Sequence, residues 1–161
     1  MKTISELDLM DSHWSNHKQD YTTKAIVLSG FLGIDIDEAE TYIDDQDYLV
    51  LTDDEADDAV REDIEQMVWA FNPSFLSAHT DYIDEDVFKL LQEKCEDAND
   101  AIMSMIKDFD HFVEDAVRCD GRGHFLAGYD HEEHEVTYLS VVREGMCYKT
   151  EETTYYIYRR N

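Results

Sequence analysis

Positive charge is scarce in this chain: 161 residues hold 13 Lys and Arg against 39 Asp and Glu, for a formal net charge of −26. Such a surface repels phosphate, which disfavours direct nucleic-acid binding, and it disfavours an anionic membrane for the same reason. Proline occurs once, at Pro73, and no glycine lies between Gly33 and Gly121. A D-x-D-x-D-G loop is therefore missing from the acid-rich stretch, which counts against calcium binding. The three cysteines, Cys95, Cys119 and Cys147, form no CxxC pair and are odd in number. That argues against a disulfide framework and fits a reducing compartment. The opening MKTISELDLMDSHW has neither the apolar core nor the cleavage site of a signal peptide. The apolar run over residues 25–34 is too short to cross a bilayer. The expectation is a soluble, cytoplasmic protein.

Catalytic signatures are missing as well. There is no P-loop, no dinucleotide fingerprint and no nucleophile elbow. Carboxylates are so frequent that no one pair singles out acid–base chemistry. The sequence predicts no enzyme and no cofactor.

What is present argues for a folded chain. Hydrophobic residues make up 43%, including ten Tyr and seven Phe, enough to build a core despite the charge. Residues 1–20 are polar, with His13, Trp14 and His17, and read as a short helix or a loose arm. A helix over residues 21–33 stops at Gly33, with Ile26, Val27, Gly30 and Phe31 as its packing edge. A brief acidic helix follows over 36–44, and the YLVL of residues 48–51 is a strand or an extended lead-in. Thr52 and Glu55 then form a capping box for a helix striped by Ala56, Val60, Ile64, Met67, Val68 and Phe71, which ends at Asn72-Pro73. A helical turn is expected at 74–79 and amphipathic helices at 84–93, 95–107 and 109–119, with a stop at Asp120-Gly121-Arg122-Gly123. Residues 136–142 and 155–158 have strand character, with a turn at Glu144-Gly145. The fold class expected is mainly α, of the α+β kind: a helical body with a small C-terminal antiparallel β element. Residues 1–161 make a single domain, with 1–20 as the arm, 21–119 as the body and 120–161 as the turn-rich and β segment.

The charge is unevenly placed. Residues 25–88 hold nineteen acids and one base, Arg61, whereas six of the thirteen bases lie from Arg118 onward. Self-repulsion on this scale needs an offset from cations, salt or a positive partner. From Asp53 to Glu65 there are eight carboxylates in thirteen residues. At about 1.5 Å rise per residue, that is roughly one per 2.4 Å of helix axis, against about one per 1.7 Å in duplex DNA. A protein that grips DNA through Lys and Arg would meet a competing surface here. The candidate partner-binding residues are Asp53, Asp54, Asp57, Asp58, Glu62, Asp63 and Glu65, with Asp44, Asp45 and Asp47 just before them. Against this stand two plainer readings, a solvated helix face and an adaptation to high salt.

Residues 119–135, CDGRGHFLAGYDHEEHE, offer His124, Asp130, His131 and His134 as metal ligands, with Cys119 as a fifth. Their spacing matches no zinc signature, and His131-Glu132-Glu133-His134 is not H-E-x-x-H. The alternative reading is a structural corner, with His124 capping a turn and Asp130 bonding backbone amides.

The segments YLVLTDDEADDAVREDI, VWAFNPSFL, DGRGHFLAGYD followed by HEEHE, and the terminal YYIYRRN resemble a family of small acidic proteins from tailed phages and mobile elements. The likeness covers roughly residues 48–161, and TYLSVVREGMCYKTEETT lengthens the gap before YYIYRRN. The resemblance carries no catalytic residues. It implies an origin, and with it a target in host machinery. The function expected is inhibition of a basic, nucleic-acid-binding defence protein of the host cell, of anti-CRISPR or antirestriction type, by a DNA-mimicking carboxylate face. A metal-dependent enzyme or metal-stabilised module on the His124–His134 segment is the first alternative. An accessory or structural phage protein is the second, and self-association into a homodimer stays open.

Overall fold

A computed structural model describes residues 2–5, 21–144 and 147–161. The chain divides into two compact units: Met1–Asp57 with Leu126–Asn161, and Asp58–Phe125.

The first unit is built on a four-stranded sheet in the order β1-β3-β4-β2. Strands β3 (His134–Glu144) and β4 (Cys147–Arg159) form an antiparallel hairpin; β2 (Tyr48–Leu51) lies antiparallel to β4, and β1 (Lys2–Ser5) lies parallel to β3. Val136 and Tyr138 on β3, and Tyr155 and Ile157 on β4, are buried at alternate positions on one face of the sheet, while Thr137 and Tyr158, on the other face, are buried as well. The first four share a core with Ile4, Val50 and the Ile26–Val27–Leu28 run of helix α1 (Thr23–Leu32), and with Ala39 of helix α2 (Ile36–Asp44). Thr22 caps α1 by accepting from the Ala25 amide at 3.2 Å, and Gly33 ends it at φ 74°, donating its N–H to Ser29 O at 2.8 Å. A Cβ at Gly30 would lie 2.9 Å from Ile4 Cδ1, so the Ile4 side chain would have to shift to admit one.

Two expectations are corrected in this unit. Residues 2–5 are neither helix nor loose arm but the edge strand β1, tied further by Lys2 Nζ donating to Phe31 O at 2.8 Å. The sheet accordingly is mixed and draws strands from both ends and the middle of the chain, rather than being a C-terminal antiparallel element. The remainder of the expected arm, residues 6–20, and the Gly145 side of the expected turn lie outside the described residues.

The second unit is helical. Helix α3 (Asp53–Met67), within which the division falls, runs into a 3-10 turn at Val68–Ala70. Then come α4 (Pro73–Ala78), α5 (Glu85–Gln92), a 3-10 turn at Cys95–Ala98 leading into α6 (Asn99–Met103), α7 (Phe109–Asp120) and α8 (Arg122–Leu126). Val60, Ile64, Val68, Leu76, Phe88, Ile102, Phe112 and Ala116 are buried in it. Pro73 starts a helix at its first position, with Asn72 as cap, whereas α3 has already stopped at Met67. Side chains explain that early stop. Asn99 Nδ2 donates to Glu65 O at 2.8 Å while Asn99 Oδ1 accepts from the Trp69 amide at 3.1 Å. Gln92 Nε2 donates to the carbonyls of Trp69 and Phe71 at 2.7 and 2.6 Å. Backbone groups left over at a helix end are thus satisfied by amides from other helices. The helix expected over 95–107 is likewise divided, and of the two glycines at the 121–123 stop only Gly121 takes a positive φ, 79°, while Gly123 is inside α8.

Candidate functional site

Helix α3 is fixed at its start by a reciprocal pair of bonds: the Thr52 amide donates to Glu55 Oε2 at 2.9 Å, and the Glu55 amide donates to Thr52 Oγ1 at 3.4 Å. Lys24 Nζ reaches both Glu55 oxygens, at 2.9 and 2.8 Å. The ammonium first, and the Thr52 amide second, hold the Glu55 carboxyl below the usual range. Asp53, Asp54 and Glu55 occupy the first turn, where the helix dipole favours negative charge. Ala56, Val60 and Ile64 follow at i, i+4 spacing and are buried.

Azimuth sorts the remaining acids. At about 100° per residue, Asp54, Asp58, Glu62 and Glu65 fall within an arc of about 80° on the side away from the buried stripe, and all four are exposed. Among the described residues, no ion pair engages their side chains. Asp53 and Asp57 are exposed too, but Asp53 lies in line with the buried stripe at its N-terminal end and Asp57 flanks it. Asp63 lies on the opposite flank, half-buried. The contiguous face thus carries four charges over about 16.5 Å, or one per about 5.5 Å. That is about a third of the duplex density and about 0.6 of the density of one strand. Measured end to end in the same way, the eight carboxylates all round the helix stand one per about 2.6 Å.

The three acids before α3 divide in the same way. Asp44 and Asp45 are exposed at the C-terminal end of α2, where the dipole disfavours a carboxylate. Asp47 is half-buried and clamps the chain terminus: its Oδ1 accepts from Asn161 Nδ2 at 2.6 Å and its carbonyl accepts from the Arg160 amide at 2.8 Å.

Asp63 belongs to a cavity of about 260 Å³ in the second unit. Met67, Phe71 and Phe125 line it with apolar surface, and Asp120 and His124 add polar groups. Carboxylates beside aromatic faces suit a guanidinium or ammonium group.

The metal ligands expected around Gly123 are placed otherwise. Asp130 Oδ1 accepts from the Glu132 amide at 3.1 Å, the turn role weighed for it. His131 sits in the left-handed region at φ 59°, and its amide donates to Ala127 O at 3.1 Å. His134 packs against the Phe31 ring at 5.2 Å, and the His124 ring meets Phe125 edge-on at 5.1 Å. Cys119 is an exposed free thiol. Neighbours in sequence, these groups do not gather into a cluster that could hold a metal ion among the described residues. Among the described residues, the cluster that can hold a metal is a different one: His79, His111 and Asp115, whose ligand atoms lie within 4.8 Å of one another.

His79 caps the end of α4 and its Nδ1 lies 2.9 Å from Phe75 O. Its Nε2 is 3.2 Å from Asp115 Oδ2, and His111 Nε2 approaches the same oxygen at 3.6 Å. His111 and Asp115 are i and i+4 on α7, so one helix face presents both. Arg118 Nη2 is 2.7 Å from Asp115 Oδ1, an ion-pair distance without hydrogen-bond alignment, since that buried oxygen has no hydrogen-bond partner. The i, i+4 spacing of His111 and Asp115 was visible in the sequence. Nothing local pointed to His79, 36 residues before Asp115.

Among the described residues, no helix is long and apolar enough to cross a membrane. No protein-family model, no curated protein and no solved structure matches the chain.

Proposed function

We propose that this is a binding protein, not an enzyme, borne by a phage or mobile element, that occupies a phosphate-binding cleft of a nucleic-acid-binding host defence protein. The observation that carries the reading is the set of Asp54, Asp58, Glu62 and Glu65, exposed together along one capped helix without partnering bases. A rigid rod of like charges speeds encounter with a basic cleft and fixes which cations it meets. Asp44 and Asp45 sit where they oppose their own helix dipole, a placement that serves a partner better than the fold. The density of the face matches one nucleic-acid strand better than a duplex, so a cleft that follows a single backbone is the favoured target. The Asp63–Asp120 cavity supplies an anchor for one Arg or Lys of that cleft, since a few buried anchors dominate most interfaces.

The test is capture from bacterial lysate at low salt, with the wild-type chain and a variant carrying Asp54→Lys, Asp58→Lys, Glu62→Lys and Glu65→Lys. The wild type retains nucleic-acid-binding proteins, releases them as salt rises, and blocks their nucleic-acid binding in a competition assay. The variant does none of these while keeping the wild-type circular dichroism. Retention of proteins unrelated to nucleic acids, or equal retention by the variant, removes the reading.

A further inference from the structure

The His79–His111–Asp115 cluster contains an electrostatic conflict that points to a cation. The Phe75 carbonyl can only accept, so His79 Nδ1 donates to it across 2.9 Å. A neutral ring then turns the Nε2 lone pair toward Asp115 Oδ2, an acceptor, at 3.2 Å. A second imidazole nitrogen, His111 Nε2, converges on the same oxygen at 3.6 Å. One proton between His79 and Asp115 would satisfy a single edge of this triangle. One metal ion satisfies all three atoms together.

We propose that His79 Nε2, His111 Nε2 and Asp115 Oδ2 form a binding site for one divalent transition-metal ion of the zinc class, joining the end of α4 to α7. Two of the three donor separations agree, and the third, between the two imidazoles, lies within 4.8 Å and closes by movement of the exposed His111 ring. With metal–ligand bonds of about 2.0–2.1 Å, two donors of a tetrahedral site are separated by about 3.3 Å, beside the 3.2 and 3.6 Å found. Two imidazoles exclude magnesium and calcium as the preferred ion, since both favour all-oxygen shells. The outer shell is that of a metal site: the Phe75 carbonyl fixes the His79 tautomer and orientation, and Arg118 lies against the other Asp115 oxygen, leaving Oδ2 for the ion. His111 is 59% exposed, so the fourth position opens to solvent and takes water or an exogenous ligand. This site is independent of the acidic face of α3, and each is tested without the other.

The experiment uses untagged protein, stripped with a chelator and titrated with Zn²⁺ by calorimetry in excess Mg²⁺, which occupies the many surface carboxylates. Co²⁺ absorption then reads the ligand geometry. One Zn²⁺ binds per chain, and Co²⁺ gives the visible bands of a four-coordinate nitrogen–oxygen site. Loss of an outer-shell partner costs about 10- to 100-fold in metal affinity, so loss of a ligand in His111→Gln or His79→Gln lowers Zn²⁺ affinity about a hundredfold or more. His131→Gln leaves it unchanged. His111, being exposed, decides the matter even where His79→Gln disturbs the fold. Failure to bind stoichiometric Zn²⁺ in Mg²⁺, or equal binding by His111→Gln, overturns the site and leaves the cluster as a His79–Asp115 pair.

Discussion

If the exposed acids of α3 serve a partner, they tax the isolated fold, and removing their charge should stabilise it. The informative variant combines Asp58→Asn, Glu62→Gln and Glu65→Gln and keeps Asp54, which the first-turn dipole favours. Setting aside Glu55, whose charge Lys24 answers, it eliminates three like-charge contacts: Asp54/Asp58 and Asp58/Glu62 at i, i+4, and Glu62/Glu65 at i, i+3. Each such pair destabilises a helix by about 0.2–0.5 kcal/mol, so the gain is about 0.6–1.5 kcal/mol. Arg61 offsets little of it, because its guanidinium is engaged by Asp110 at 2.5 Å. In a chain of this length about 1 kcal/mol moves the melting temperature by roughly 2–4 °C. The assay is calorimetry or thermal circular dichroism near 0.01 M salt, where the screening length is about 30 Å, repeated near 1 M, where it is about 3 Å. The variant melts higher at low salt, the difference vanishes at high salt, and lysate capture is lost in parallel. A lower melting temperature at low salt would mean that these carboxylates hold the fold together. A gain that survives high salt would mean that packing or helix propensity, not charge, was changed.

Three further outcomes follow from single contacts. Lys24 and Thr52 lower the Glu55 carboxyl in the folded state, so its contribution is present above the unfolded value near 4.3 and is lost as pH falls through the lower folded one. Glu55→Gln is therefore less stable than wild type at neutral pH, by no more than about 1 kcal/mol for so exposed a pair, and the gap closes during acid titration; a gap that widens in acid refutes the assignment. Phe112 is fully buried among Phe71, Phe75 and His79, and Phe112→Ala costs about 3–5 kcal/mol in urea denaturation; a cost under about 1 kcal/mol would mean the site collapses freely. Gly33→Ala forces a side chain into the left-handed helical region at φ 74°, ψ 36° and costs about 1–2 kcal/mol in urea denaturation, whereas Gly121 at φ 79°, ψ 157° lies where glycine alone is at ease, so Gly121→Ala costs more, up to about 3 kcal/mol.

How much of this was legible follows from how local each determinant is. The Thr52–Glu55 box, the Gly33 stop and the strands β3 and β4 are written within a few residues, and the α+β class follows from them. Strand β1 was not legible. KTIS buries only Ile4, and its partner segment, Val136–Leu139, lies 134 positions along the chain. The breaks at Val68–Ala70 and Cys95–Ala98 were hidden for a related reason: Asn99 and Gln92 decide the first from other helices. The acid count was read correctly, but a count along the chain says nothing of azimuth, which places Asp63 in the wall of the cavity and Asp53 and Asp57 off the exposed row. The metal cluster joins a cap residue of α4 to a face of α7, which only the packing of the second unit brings within 4.8 Å.

The structure separates carboxylates that build from carboxylates that present. Asp35, Asp84 and Asp108 cap helices by accepting from the amides of Asp37, Asp86 and His111. Glu55 answers Lys24, Asp81 answers Lys107, Asp86 answers Lys89 and Asp110 answers Arg61. Every one of these has a donor in reach, so each is retained by a chain selected only for stability. Asp54, Asp58, Glu62 and Glu65 meet no such base among the described residues, repel one another at helical spacing, and lie on one side of a helix whose start the capping box fixes. With 39 acids and 13 bases, unpaired carboxylates are unavoidable somewhere. Solubility alone would scatter them, since spreading charge lowers repulsion. Lining them up raises it, and that added cost is the physical ground for assigning the row to a partner.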